Sequence, residues 1–394
     1  MILCAIISGC MGLKEIGTAG AEENLWTGPG LHMDTDSSAI CYVTGIDYPT
    51  GYDWRNNETS ENVRCSLVVF SDGVPMLKIP IGDGHEVSAD PDRHRVIDGH
   101  LYTEYCHDGF TVIRKDGKAF MKYEGEESIR GLIVDGQNVY TLGIPRNGKG
   151  FTYRKNGESI VERRTGYAFE RLIMDDGKIC FAFCQPVSTS EGPEERFYMV
   201  RNGRTSLIDI NDEVGRVWDI ISCNGTTWTL TSSGPWNTVE LTRDGLPIAV
   251  NLPAGAEMLS CRMFSSGEEI CIEGEYSQGD SLKASGIWIM GDEYMRFETG
   301  QSISSSCSGN GDICCVLNPT ADNQEGIIFK NGHFYQMPED FICTGNNPIA
   351  VHEGILHIGL TSLSDQRPIL WQDGQTTRLK LNGPICTLSV SASS

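Results

Sequence analysis

The residues with most chemistry to offer stand a few positions ahead of a recurring tight turn. Arg95, Arg130, Arg171 and Arg262 lie there, near Glu127, Glu170, Glu257 and Asp219. Two carboxylates held roughly 5–10 Å apart across a sugar could cleave a glycosidic bond. The same mixture could hold an anionic ligand. A plainer reading is a set of salt bridges that keeps neighbouring units of the chain in register. Aromatic residues form a second group. Tyr48, Tyr52 and Trp54 sit beside Asp53 and Arg55 in one long connector, and Trp236 sits in a shorter one. Exposed aromatic faces with polar neighbours suit sugar rings or a protein partner. Rings that only pack their own loop are the alternative.

Motifs for nucleophilic, metal or phosphate chemistry fail on inspection. Gly143-Ile144-Pro145-Arg146-Asn147-Gly148-Lys149-Gly150 approaches a phosphate loop. Gly150 stands where Ser or Thr should reach magnesium, and Phe151 to Arg154 reads as a strand rather than a helix. The opening Asp34-Thr35-Asp36 of a calcium-type loop lacks the glycine at position six and has Gly45 in place of the closing Glu. There is no G-x-S-x-G elbow, no H-E-x-x-H and no C-x-x-C. We therefore expect no catalytic residue, no cofactor and no metal. Asp and Glu outnumber Lys and Arg by 53 to 31, a net charge of −22. That excludes phosphate-led binding of nucleic acid, which needs a basic surface.

The elements that must position these groups are legible as a repeat. An Asn-Gly or Asp-Gly type turn follows a β-rich run eight times, at Gly73, Gly117, Gly157, Gly203, Gly245, Asp292, Gly332 and Gly374. The sixth copy reads as Gly291-Asp292. A second turn falls between these, at Gly99, Gly136, Gly177, Gly225, Gly267, Gly311 and Gly354, with a degenerate first copy at Asp34 to Cys41. A third glycine marks the connectors, at Gly84, Gly125, Gly166, Gly215, Gly255, Gly300 and Gly345. Both central residues of a type I′ hairpin need positive φ, hence Asn-Gly and Asp-Gly. Four short strands, A to D, per unit of roughly 43 residues is the signature of a propeller blade. The chain is thus expected to be all-β, a single β-propeller of eight four-stranded blades, with seven as the alternative. Pro384 to Val390 is expected to close the ring as an inner strand in blade 1, with Gly30 to Asp34 as competitor. The A–B and C–D turns would share one face. The B–C and D–A connections, variable at Asp47 to Val63, Gln185 to Glu195, Glu275 to Lys283 and Asn318 to Glu325, would form the binding face.

The chain has 15 Cys. Cys41, Cys180, Cys271 and Cys314 are read as sharing one register on strand B, with Tyr140 and His357 there in other blades. Equivalent positions in different blades cannot pair, so small buried side chains between blades are expected. A disulfide within a blade stays open. Adjacent Cys314 and Cys315 must point to opposite sheet faces.

At the N-terminus, Ile7-Ser8-Gly9-Cys10 has the form of a lipobox, with Cys10 as the lipidated residue, although the apolar stretch before it is short and carries no positive charge. Residues 1–29 then form a signal and tether, and residues 30–394 the propeller. Hairpins such as Leu370-Trp371-Gln372-Asp373-Gly374 resemble those of uncharacterised propeller lipoproteins of Bacteroidetes, with Trp288 in a shifted position. The resemblance spans about residues 30–394. It implies the architecture and an envelope location, and transfers no catalytic residue. The resulting expectation is a monomeric, non-catalytic envelope propeller, touching the membrane only through a lipid anchor. It would bind a glycan or protein through the B–C and D–A face. Alternatives are a carbohydrate-active hydrolase or lyase using channel-mouth carboxylates, and a cytoplasmic propeller.

Overall fold

The computed structural model describes residues 39–49, 52, 65–81, 93–169, 171–190, 192–210, 214–233, 238–278, 282–297, 301–309, 311–320, 325–344 and 348–392. They form eight antiparallel blades, each built as the repeat predicts. In blade 3, strands A to D are Glu127–Asp135, Asn138–Pro145, Phe151–Lys155 and Glu158–Arg163. In blades 4 and 8 strand A is broken into two short pieces, Tyr167–Ala168 with Ile173–Asp175 and Phe341–Cys343 with Ile349–His352. The ring closes with the C-terminal strand. Ile385–Ala392 pairs with Ala39–Asp47, inside Cys65–Ser71 and Val74–Ile81. Thr44 and Thr387 hydroxyls bond at 2.8 Å, and Tyr48 N donates to Asn382 O at 2.9 Å. Gly30 to Asp34 lies outside the described residues.

The eight C–D turns share one geometry, with both central residues at positive φ. Asn and Asp recur there for a second reason. The side chain of the first turn residue reaches back to the N–H that starts strand B. Asp72 accepts from Cys41 at 2.9 Å, Asn156 from Val139 at 2.8 Å, Asn202 from Ile179 at 3.0 Å and Asn331 from Ile313 at 2.8 Å. Asp116, Asp244 and Asp373 do the same for Leu101, Thr227 and Leu356. The short Asx side chain tolerates the left-handed region and supplies an acceptor there. In blade 6 the turn is Met290-Gly291 rather than the expected Gly291-Asp292, and the Met290 thioether faces Ile270 N at 3.5 Å. With the turn so placed, Trp288 is not shifted. It occupies the position of Trp371, two residues before the turn, and both indoles are fully buried.

The apolar core is divided among the gaps between blades. Eight hydrophobic clusters occupy the eight interfaces around the ring. Strands B and C are covered on both faces and so read as continuous apolar runs, as in Ile179 to Cys184. Twelve of the thirteen described cysteines belong to these clusters, and all thirteen are free thiols. Cys314 faces the blade 7–8 core and Cys315 the blade 6–7 core, on opposite faces as expected. The shared cysteine register needs one correction. Pairing against the C–D turn aligns Cys180, Cys271 and Cys314 with Tyr42, Tyr102, Tyr140, Trp228 and His357. Cys41 is one residue earlier and faces the other way.

That register has its own logic. In three of the four blades where strand B carries an aromatic ring, the residue opposite it on strand C is a cation over the ring: Lys115 over Tyr102, Lys155 over Tyr140 and Arg243 over Trp228, whereas Tyr42 stands opposite Ser71. Where strand B carries Cys180 or Cys314, the cation turns to the next blade. Arg201 donates to Thr227 Oγ1 at 2.9 Å and to Ser222 Oγ at 3.2 Å. Lys330 pairs with Asp373 at 2.9 Å and donates to Gly354 O.

Candidate functional site

Five inner strands display the charged residues singled out above, and most are occupied in joining blades. Arg95 in blade 2 donates to Ile129 O at 3.0 Å and Arg130 O at 3.2 Å in blade 3. Glu104 of blade 2 accepts from Ile129 N through both oxygens, at 2.9 and 3.1 Å. Glu127 is buried against Arg154, bidentate, with Arg154 also stacked 4.2 Å above Tyr123 of blade 2. The blade 2–3 interface has the smallest apolar cluster, and these polar contacts take its place. Arg171 of blade 4 pairs with Asp219 of blade 5 at 3.0 Å and donates to Met263 O of blade 6. Asp219 is itself buried and accepts from Met263 N at 2.7 Å and Ile220 N at 2.9 Å. Three blades therefore meet on one carboxylate.

The inner strands are also bulged. Register shifts fall at Ile129/Gly131, Val214/Arg216, Val217/Asp219, Met258/Ser260 and Ile303/Ser305. A bulge turns its extra residue out of the ladder. Arg130 and Leu259 are such residues and are exposed. Gly215, expected in a connector, lies instead within the inner strand Val214–Cys223. Arg216 stacks 3.8 Å over Trp218 beside it. Glu257 is exposed at the start of Ala256–Ser266.

A pocket that neither sequence motif nor composition pointed to lies between blades 6 and 7. It holds about 220 Å3 and is lined by Ser260, Cys261, Arg262, Glu273, Glu275 and Ile303, with Gly274. Arg262 on Ala256–Ser266 stands directly opposite Glu273 on Glu269–Gln278, and Ser260 opposite Glu275. Arg262 Nε donates to Glu273 Oε1, while its Nη2 lies 3.5 Å from Ser306 Oγ of blade 7. Glu273 is 6% exposed, and its Oε2 has no hydrogen-bond partner. The sequence signal was available. Reflection through the Gly267-Glu268 turn maps Arg262 onto Glu273, a pairing visible across the hairpin and not along the chain.

Among the loop aromatics, Tyr48 and Tyr52 stack on each other, with centroids 5.1 Å apart. Burial pushes the Tyr48 phenol up to about 12. Tyr48 also packs against the blade 1–2 core. Trp54, Trp236, Glu170 and Cys10 lie outside the described residues. Two expected long loops are hairpin extensions instead. Gln185 to Glu195 and Glu275 to Lys283 continue strands B and C, pairing as far as Thr189 with Gly192 and Gln278 with Leu282. Their polar residues alternate on an extended ladder, which composition alone does not separate from a loop.

Comparison with known proteins finds likeness to solved structures alone. No family model matches the chain, and no curated protein does. Among solved structures, the dihydro-heme d1 dehydrogenase NirN in complex with DHE matches at TM-score 0.49 and 10% identity, over 97% of this chain and 78% of that one. A quinonprotein alcohol dehydrogenase-like protein from Bacteroides thetaiotaomicron matches at TM-score 0.37 and 12% identity, over 89% and 90%. A post-proline cleaving enzyme from Rickettsia typhi matches at 0.42 and 9%, over 74% of this chain and 53% of that one.

Proposed function

We propose that the protein is a non-catalytic binding propeller of the cell envelope that holds a glycan at the inner strands of its ring. The observation that carries this reading is the contrast between two sets of carboxylates. Asp219, Glu127 and Glu104 are committed to arginines or backbone N–H groups that join blades. A glycoside hydrolase needs one carboxyl free to give a proton and another free to take one or to attack. Glu275, with Glu273 held by Arg262 inside blade 6, instead lines an open cavity, the mixture of acceptors and donor that sugar hydroxyls require. The envelope placement rests on the lipobox-like Ile7 to Cys10 and on the lipoprotein hairpins it resembles. The chain would act as a monomer.

Glycan-array binding of the purified protein, followed by product analysis of the bound glycan, tests the reading. Retention of a glycan without turnover is expected. Release of shortened sugars, lost in Glu273→Gln, would replace it with the hydrolase. Mass spectrometry of the protein from its native cells should find lipid on Cys10, and an unmodified cytoplasmic chain would refute the envelope placement.

A further inference from the structure

We propose that Cys307 and Cys314 are a disulfide-forming pair, a dithiol that closes to a cross-strand bond by exchange with a small disulfide. The two face each other in the first hairpin of blade 7, Cys307 on the inner strand Ile303–Gly309 and Cys314 on Asp312–Leu317. Direct partners in an antiparallel ladder have Cα atoms about 4.5–5.5 Å apart. A disulfide accepts roughly 4.4–6.8 Å, so the bond asks for rotation of the thiols and little movement of the backbone. The contact between the thiols is a second observation. They share a hydrogen bond, and both lie against the core between blades 7 and 8. The arrangement is singular. Among the described residues no other cysteine is in register with a cysteine on a neighbouring strand.

Cys314 is fully buried, whereas Cys307 is half-buried. Cys307 is therefore the thiol that an incoming disulfide meets. Its sulfur, as thiolate, attacks one sulfur of the reagent and releases one thiol. The Cys314 sulfur then attacks the Cys307 sulfur of that mixed disulfide and releases the second thiol. The protein dithiol loses two electrons, the reagent disulfide gains them, and the two thiol protons end on the two released thiols. The neighbouring Cys314 thiol and burial hold the Cys307 thiol far above its usual range. The first attack is therefore slow at neutral pH and quickens as pH rises. Adjacent Cys315 takes no part. It points to the other face of the strand, into the core between blades 6 and 7, and stands opposite Ser306.

Oxidation of the folded, fully reduced, full-length protein with cystamine tests the proposal. The reaction is run overnight at about pH 8.5, where more of the thiol is ionised, and stopped with acid. The protein is then unfolded, alkylated and cleaved ahead of its aspartates. Asp312 lies between the two cysteines, so the bond joins the fragment that carries Cys307 to the one that carries Cys314 and Cys315. That joined product, lighter by two hydrogens and with Cys315 alkylated, is expected. One pH unit higher, it should form up to about ten-fold faster, in step with the thiolate fraction. Cys307→Ser should abolish the bond and leave Cys314 alkylated, and Cys315→Ser should leave the bond in place. Cysteamine retained on Cys307 overturns the pair, because Cys314 then fails to resolve it. A bond from Cys307 to Cys315 overturns the register argument. Full alkylation of Cys307 and Cys314 after the reaction overturns the site, and a rate that ignores pH overturns the exchange.

Discussion

At the scale of single residues, the repeated Asn and Asp do more than permit a turn. Each joins the C–D turn to the start of strand B in its own blade. Asn156→Ala should lose that acceptor and meet the cost of a left-handed non-glycine residue, about 1–2 kcal/mol in a urea titration. Asn156→Asp should recover most of it. His357 gives a pH dependence. Its ring is buried, its Nδ1 lies 3.0 Å from Gln372 Nε2, and burial, with His352 and Lys330 nearby, lowers its pKa from 6.5 to about 4. The unfolded chain takes up the proton near 6.5, before the folded one does. Stability from this residue is whole above about 6.5 and declines as pH falls toward about 4. The loss at the low end is roughly 3 kcal/mol, and His357→Gln should flatten that part of the stability profile. Thiols make the third case. Burial pushes Cys271 and Cys343 up to about 12 and Cys184 to about 11. Alkylation at pH 8 should therefore label few thiols in the native protein and all of them after unfolding.

At the scale of elements, glycines within strands record where another group already occupies the space. A Cβ on Gly143 would overlap the Glu127 carboxylate that Arg154 holds. Gly143→Ala should displace that buried pair and cost about 3 kcal/mol or more, since a buried charge left unpaired is among the costliest defects. The near-match to a phosphate loop is thus explained by blade packing. Hairpin turns were readable because their φ angles demand particular residues. Methionine carries no turn signal, so the sequence points to Gly291-Asp292 where the turn is Met290-Gly291, and the same one-residue step takes Trp288 out of its true register. The register of Cys41 is ambiguous in sequence for a similar reason. An Ile-Cys pair looks the same one residue out of step, and only the ladder tells which side of the blade the thiol takes.

At the scale of the whole molecule, stability resides in interfaces between blades, closed by one strand. Deleting residues 385–394 removes the inner strand of blade 1, along with Ile385, Cys386 and Leu388 from two inter-blade clusters. The truncated chain should lose cooperative unfolding and aggregate, because an exposed inner edge pairs with other chains. Adding the peptide back should restore a sharp transition. The acidic surplus should matter little to the ring itself, since the buried Glu127, Asp219, Glu273 and Asp373 each have a cationic partner, within a blade or in the next one.

The sequence by itself determined the repeat, seven of the eight C–D turns and the burial of the cysteines, and it favoured eight blades closed by the C-terminal segment over seven. Each follows from local rules: positive φ at a turn, apolar runs for strands covered on both faces, and a fixed repeat length. Tertiary structure alone decided which charged residues are free. Arg95, Arg171 and Asp219 look like site residues in one dimension and prove to be fastenings between blades. Glu273, inconspicuous in sequence, holds Arg262 with one oxygen and has its other oxygen buried without a donor. The physical reason is that pairing of charges depends on distances across strands and between blades, and these are set only when the ring closes.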